Sequence, residues 1–169
     1  NYFIIKHAPF PLRSPLPGEP DYDDQYRIPV AKVMGAARGR AKAFRPASVI
    51  NVSAMSFGAL SSNAISALNQ GATIAGCLHN TGEGGISPYH QQGGELIWQL
   101  GSGYFGARDA DGQFDLARVV ETVAANPVRA IEIKLSQGAK PGLGGVLPAA
   151  KITEEISAIR GVPRDRDCI

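Results

Sequence analysis

The sequence predicts an α/β fold built on a parallel sheet, and three observations predict it. Short apolar runs alternate with segments of helical periodicity. Sixteen of the twenty glycines fall between Gly58 and Gly145. The glycine-rich loops follow strand-like runs and precede helix-like ones. Parallel strands need long crossovers, usually helices. Loops placed this way gather at the C-terminal ends of the strands, where such folds put their ligands.

The elements follow in order. Residues 1–47 hold seven of the twelve prolines, with Pro9, Pro11, Pro15, Pro17 and Pro20 close together. Proline removes donors and holds the chain extended, so this is a wrapping arm, pinned by Phe10, Tyr22 and Tyr26. Residues 48–55 read as a strand. A helix over 60–75 is capped by Ser61 or Ser62, with Leu60, Ala64 and Leu68 on one face. Residues 77–81 read as a short strand, 95–100 as a short helix or turn, and 101–106 as a glycine-interrupted strand or loop. The helix over 115–126 has Asp115 as its cap and Leu116, Val119, Val120 and Val123 as its apolar face. Asn126-Pro127 ends it. A strand over 130–135 follows, then a helix over 151–160 with Ile152, Ile156 and Ile159 on one stripe and Gly161 as its stop. A further strand begins at 167–169. No internal repeat is evident. A complete eight-unit barrel takes roughly 250 residues; this sequence supplies about four units and the start of a fifth.

Composition narrows the class of partner. The 169 residues are 44% hydrophobic and 19% charged, with a net charge of +2, so nothing demands a nucleic acid. The run 38–45 carries Arg38, Arg40, Lys42 and Arg45 and reads as a solvated turn, with phosphate contact as the alternative. No apolar run has membrane-spanning length. Cys77 and Cys168 lie far apart and, with His79, make no zinc spacing, so no metal site is expected and a reducing, cytoplasmic setting is.

Two loops carry the chemistry. Residues 132–145 (EIKLSQGAKPGLGG) run from an alternating strand into four glycines. Lys134 sits near the strand end, where an inward lysine is costly unless it meets an anion. Gln137 offers a donor and an acceptor, which suits a flavin edge. Lys140 is the more exposed lysine. Residues 80–85 (NTGEGG) have the same construction with a carboxylate, Glu83, which either faces a substrate or ties down its own loop. The two loops suggest two walls of one site. SAMSFGAL (residues 53–60) ends the first strand in small residues: Met55 and Ser56 either line a flat ring or form a tight strand-to-helix turn. Residues 101–106 match the letters of GxGxxG, but turn chemistry follows where a dinucleotide site needs a helix. His79 and His90 read as structural, Trp98 as core or interface. No nucleophile, base and orienter set supports hydrolysis.

Together, SAMSFGAL, NTGEGG, SGYFG (residues 102–106) and IKLSQGAKPGLGG (residues 133–145) resemble the flavin-binding synthase domain of glutamate synthases. The stand-alone FMN-binding relatives are the most similar, and the likeness runs over residues 48–169. The resemblance implies a (β/α)8 TIM barrel, of which this sequence holds the first half behind its proline-rich arm. It implies FMN at the top of the barrel and hydride transfer from reduced flavin to the imine of 2-oxoglutarate, giving L-glutamate. By that likeness Lys134 and Glu83 are catalytic. Met55, Ser56, Gln137 and Lys140 hold the cofactor, and Glu83, Ser102 and Lys134 bind substrate. Ligands of an iron–sulfur cluster would lie beyond Ile169. The large synthases have an arginine where this sequence has Tyr104, and another where it has Glu95-Leu96, so the oxo acid itself is open. The expected partners are a small-molecule substrate, an electron-donor protein and the rest of the barrel or another chain. The sequence is expected to be part of a longer protein, and these residues alone to bind flavin weakly. A barrel relative acting as a scaffold, and an anion- or RNA-binding module using 38–45, are the alternatives.

Overall fold

The computed structural model describes residues 16–20, 22, 30–138, 142 and 144–168. Phe10, Tyr26 and Lys140 lie outside them, as does most of the proline-rich arm. The described architecture is α/β, with a parallel sheet of β1 (His79–Asn80), β2 (Leu96–Leu100) and β3 (Val128–Ile133) in that order. Each strand pairs with the one before it, Asn80 with Ile97 and Gln99 with Glu132. On the other side of β1, Val52 makes a parallel bridge to His79. The ladder continues from Met55 N–H to the Asn80 carbonyl at 3.1 Å. The strand expected over 48–55 is thus a single bridge with a hydrogen-bonded extension, because its small residues turn early toward a helix.

Among the described residues three α-helices accompany the sheet: α1 (Ser62–Ala75), α2 (Leu116–Ala125) and α3 (Glu154–Arg160). Their caps are those the residue types favour. Ser61 accepts from Ala64 N–H at 3.3 Å and Asp115 from Ala117 N–H at 2.8 Å. Gly76 and Gly161 close α1 and α3 in the left-handed region. The buried stripe of α1 is Ile65, Asn69 and Ala72, not the Leu60–Ala64–Leu68 face read from the sequence. Leu60 precedes the helix, so the stripe is counted from a different start.

Residues 95–100, read as a helix or turn, are the central strand. Leu96, Trp98 and Leu100 are buried against the helix side, and Gln99 points the other way. That is period two; the short run and its glycine neighbours hid it. Trp98 is fully buried, with Leu100 and Ala107, beneath Val119 and Val123 of α2. Burial of this kind contributes about 2–3 kcal/mol per large side chain. A second core lies under α3, where Ile156, Ile152, Leu147, Val162 and Cys168 enclose Phe105. The predicted 151–160 helix is split: a 3-10 turn at Ala149–Lys151 comes first, and Thr153 caps α3 two residues later. The strand expected at 167–169 is an antiparallel bridge of Cys168 to Leu147, so within the described residues it does not extend the parallel sheet. After Gly106 no helix opens; Arg108 bridges Phe114 instead.

Candidate functional site

The sheet is parallel, so the loops after Val52, β1, β2 and β3 emerge at one end. Lys134 is the first residue beyond β3, and its N–H prolongs the ladder to the Leu100 carbonyl at 2.8 Å. Side chains alternate along a strand, so Lys134 shares the face of Glu132. One layer below, the Glu132 carboxylate accepts from Asn80 Nδ2 at 3.0 Å and from Gln99 Nε2. This face of the sheet is polar, and the opposite face carries the apolar core.

Lys134 and Glu83 meet. Lys134 Nζ donates to Glu83 Oε1 at 2.9 Å and to Gln137 Oε1 at 2.8 Å. Gln137 Nε2 closes the triangle by donating to Glu83 Oε1 at 2.7 Å. About a quarter of each charged side chain remains exposed. Desolvation offsets most of the Coulomb gain in such a pair, so the triangle fixes geometry more than it adds stability. Glycines make room for it. A Cβ on Gly101 would lie 2.8 Å from Glu83 Cβ, and one on Gly145 would lie 2.9 Å from Glu83 Oε1. Gly82 has φ +67°, and a Cβ there would sit 2.7 Å from the Ser56 nitrogen. The NTGEGG loop therefore packs directly on the Met55–Ser56 backbone.

Beside the triangle is a cavity of about 110 Å³ lined by Ser56, Glu83, Ser102, Gly145, Arg160 and Cys168, among others. Ser56 and Ser102 reach it. The Met55 side chain does not line it; the Met55 backbone ties the loop to Asn80. Lys134 lines a neighbouring cavity that shares Ser102. Sequence reasoning missed Arg160. In the sequence it is only the last residue of the helix expected over 151–160. In the fold Arg160 is buried, 7% exposed. Nη2 donates to the Phe57 carbonyl at 3.0 Å, Nη1 to Cys168 Sγ at 3.7 Å, and the charge lies over the Phe105 ring at 5.2 Å. Its Nε has no partner, and no carboxylate among the described residues pairs with it. Only tertiary packing reveals such a residue.

Of the two positions where the resemblance implies an arginine, Tyr104 lines the cavity of Lys134 and Glu95-Leu96 lies at the far end of the sheet. Tyr104 packs edge-on against Phe114 at 5.8 Å. Glu95 precedes β2 at the opposite end of the sheet and pairs with Arg129 at 3.4 Å. His79 and His90 are buried structural groups. His79 Nδ1 accepts from Asn69 Nδ2 at 3.2 Å, and the two rings are 5.3 Å apart. Cys77 and Cys168 are free thiols. Among the described residues no cluster could hold a metal ion, and no helix is long and apolar enough to cross a membrane. Residues 34–44 close as a loop through the Met34–Phe44 bridge, with Arg129 stacked on Phe44 at 4.5 Å.

A family model described as the conserved region in glutamate synthase matches residues 23–169. The chain belongs to the glutamate synthase family. It is 42% identical over 123 residues to a glutamate synthase large subunit-like protein, YerD, of Bacillus subtilis, covering 72% of this chain and 23% of that protein. It is 40% identical over 118 residues to an archaeal glutamate synthase [NADPH] of Archaeoglobus fulgidus, covering 69% and 20%. An archaeal-type glutamate synthase [NADPH] of Thermotoga maritima is likewise 40% identical, over 117 residues, with 69% and 20% covered. The chain thus spans about a fifth of the length of these glutamate synthase relatives.

Proposed function

We propose that this chain is the first part of a (β/α)8 barrel that binds FMN and reduces the imine of a 2-oxo acid, 2-oxoglutarate to L-glutamate by analogy with its family. The observation that carries the reading is the meeting of Glu83, Lys134 and Gln137 at the C-terminal end of a parallel sheet, next to the buried Arg160. The sequential strand order supports a barrel, since a barrel adds each strand to the same edge. Ile131, Ile133 and Leu135 at the outer edge, with Leu116 and Val120 on α2, are exposed apolar residues that further βα units would cover.

The residues fit a flavin ring at one end of the molecule. A flat ring needs small neighbours and donors at its polar edge; Ser56, Ala59, Gly103 and Gly145 supply the first, Gln137 the second. Phosphate loops in barrels come from the last strands, which accords with the short stretch of the relatives covered here. When bound, FMN supplies the hydride.

The chain's own residues do the rest. Lys134 has three N–H donors, and Glu83 and Gln137 occupy two. The third is available to a substrate carboxylate. Glu83 and Gln137 fix the direction of the ammonium. Arg160 supplies a second cation, already desolvated, so a substrate with two carboxylates finds two positive partners without arginine at position 104. Ser56 and Ser102 hydroxyls bound the cavity and can bond the reacting end. The names of two relatives include NADPH, so the electrons are proposed to come from NADPH through a partner. The intact protein tests this: its purified form should show flavin absorption bands and should oxidise a reduced donor in the presence of 2-oxoglutarate and ammonia. A colourless, correctly folded protein would make it a scaffold.

A further inference from the structure

Under Glu83 and Ser56 lies a hydrogen-bond strap that the proposed chemistry does not use. The 3-10 turn Pro88–His90 starts at Ser87. Both Ser87 and His90 are fully buried. Ser87 N–H donates to His90 Nδ1 at 3.1 Å, and the Ser87 hydroxyl lies 2.8 Å from the same nitrogen. A nitrogen that accepts a backbone N–H carries no proton, so the ring holds its proton on Nε2. Nε2–H then donates to the Met55 carbonyl at 2.9 Å. That carbonyl belongs to the peptide joining Met55 to Ser56, and Ser56 lines the cavity. The same peptide is gripped from above, where a Cβ on Gly82 would fall 3.1 Å from the Met55 carbonyl carbon.

We propose that His90 is a positioning residue: through Ser87 on one side and Met55 on the other, it sets the backbone against which the ligand of this cavity lies. The inference rests on the flavin reading and adds to it a residue that touches neither cofactor nor substrate. The Met55–Ser56 peptide has small neighbours and no regular strand or helix to hold it. Its position depends on Asn80 along the ladder and on His90 across it. A neutral ring with a fixed tautomer is a suitable peg, because Nδ1 only accepts and Nε2 only donates.

The two amide side chains separate the two nitrogens. His90→Gln places an amide N–H near the site of Nε2 and keeps the bond to Met55. His90→Asn places an oxygen near Nδ1, keeps the bond from Ser87 and falls short of Met55. In the intact protein, FMN dissociation followed by flavin fluorescence should weaken about tenfold in His90→Asn, the order of one lost hydrogen bond in a buried site. His90→Gln should stay within about threefold of wild type. Melting temperature is read alongside; a purely structural role predicts that flavin affinity follows stability in both variants. Where His90→Asn is too unstable to purify, Ser87→Ala, which loosens the ring through Nδ1 alone, takes its place, with about threefold weakening expected. Wild-type affinity in the Asn or Ala variant overturns the inference, as does equal loss in Gln and Asn. A wild-type protein without flavin removes the underlying reading and this inference with it, and the wild-type spectrum alone decides that case.

Discussion

Lys134 and Arg160 are two cations at one mouth of the sheet, and they meet burial differently. Lys134 is about a quarter exposed and has its carboxylate, Glu83, at 2.9 Å. Arg160 is more deeply buried and has a carbonyl, a thiol and an aromatic face, but no carboxylate among the described residues. A paired cation is a finished structural unit. A buried guanidinium cannot lose its proton and cannot shed the cost of its charge, and in the proposed function an anionic substrate completes it. The pair therefore divides the labour: Lys134 is held in place, and Arg160 is held open.

The largest expected effect breaks the first half of that contrast. Lys134→Ala removes the donor aimed at substrate and leaves Glu83 and Gln137 bonded to each other. Turnover of the flavin-loaded protein should fall about 10²–10³-fold, as when one preorganised donor is lost from a site. Flavin content, read from the visible spectrum, should stay near wild type. Equal turnover would take Lys134 out of the mechanism.

The next effect concerns bases that can do what Arg160 cannot. His79 and His90 are buried and stay neutral. Burial lowers both pKa values, and the neighbouring His90 adds to the shift at His79, which falls to about 4. Well above pH 6.5 both imidazoles are neutral in the folded and unfolded chain, and their contribution to stability is at its full value. Between about 6.5 and 4 the unfolded chain binds a proton that folded His79 refuses, so stability falls as pH falls, by about 3 kcal/mol for this ring. Urea unfolding at several pH values checks it. In His79→Asn the slope across that window should flatten; an unchanged slope would place the loss elsewhere.

Arg160→Met tests the open cation. It should raise the KM for a carboxylate substrate about 30-fold, the order of one lost charged hydrogen bond. Melting temperature should fall only by what the Phe57 and Cys168 hydrogen bonds contribute, since no carboxylate among the described residues is left unpaired and the methionine stem fills part of the space. A large loss of stability with unchanged KM would make Arg160 a structural strut, and Lys134 would then be the mouth's substrate cation.

These residues also show how far the sequence could be read. Lys134, Glu83 and Gln137 were legible because each stands at a strand end or in a glycine loop, and parallel α/β folds collect such loops at one end. The caps Ser61, Asp115 and Gly161 were legible because capping is local chemistry. The central strand was not. Leu96–Leu100 is five residues long and lies between two glycine-rich loops, and so short a run does not separate strand from helix by periodicity. Its burial comes from β1 and β3 on either side. Arg160 was illegible for the same kind of reason: nothing local distinguishes an arginine at an exposed helix end from one that packs over Phe105 and under Gly84. Local rules found the groups that announce themselves. Packing alone found the one that no carboxylate among the described residues pairs with.

The smallest effect sharpens the paired side of the contrast. The triangle depends on backbone passing close to Glu83 at Gly101, where an added Cβ would stand 2.8 Å from Glu83 Cβ. That neighbour is the root of the side chain and has little freedom to yield. Gly101→Ala should therefore push Glu83 off Lys134, costing about 1–2 kcal/mol in unfolding free energy as overpacked sites do. Gly138, in the loop just after Gln137, supplies the control: a Cβ there meets nothing within 4 Å. Gly138→Ala should change stability by less than about 0.5 kcal/mol. If the two substitutions behave alike, the tight fit around Glu83 is not what orders the triangle, and the loop itself must hold Lys134 in place.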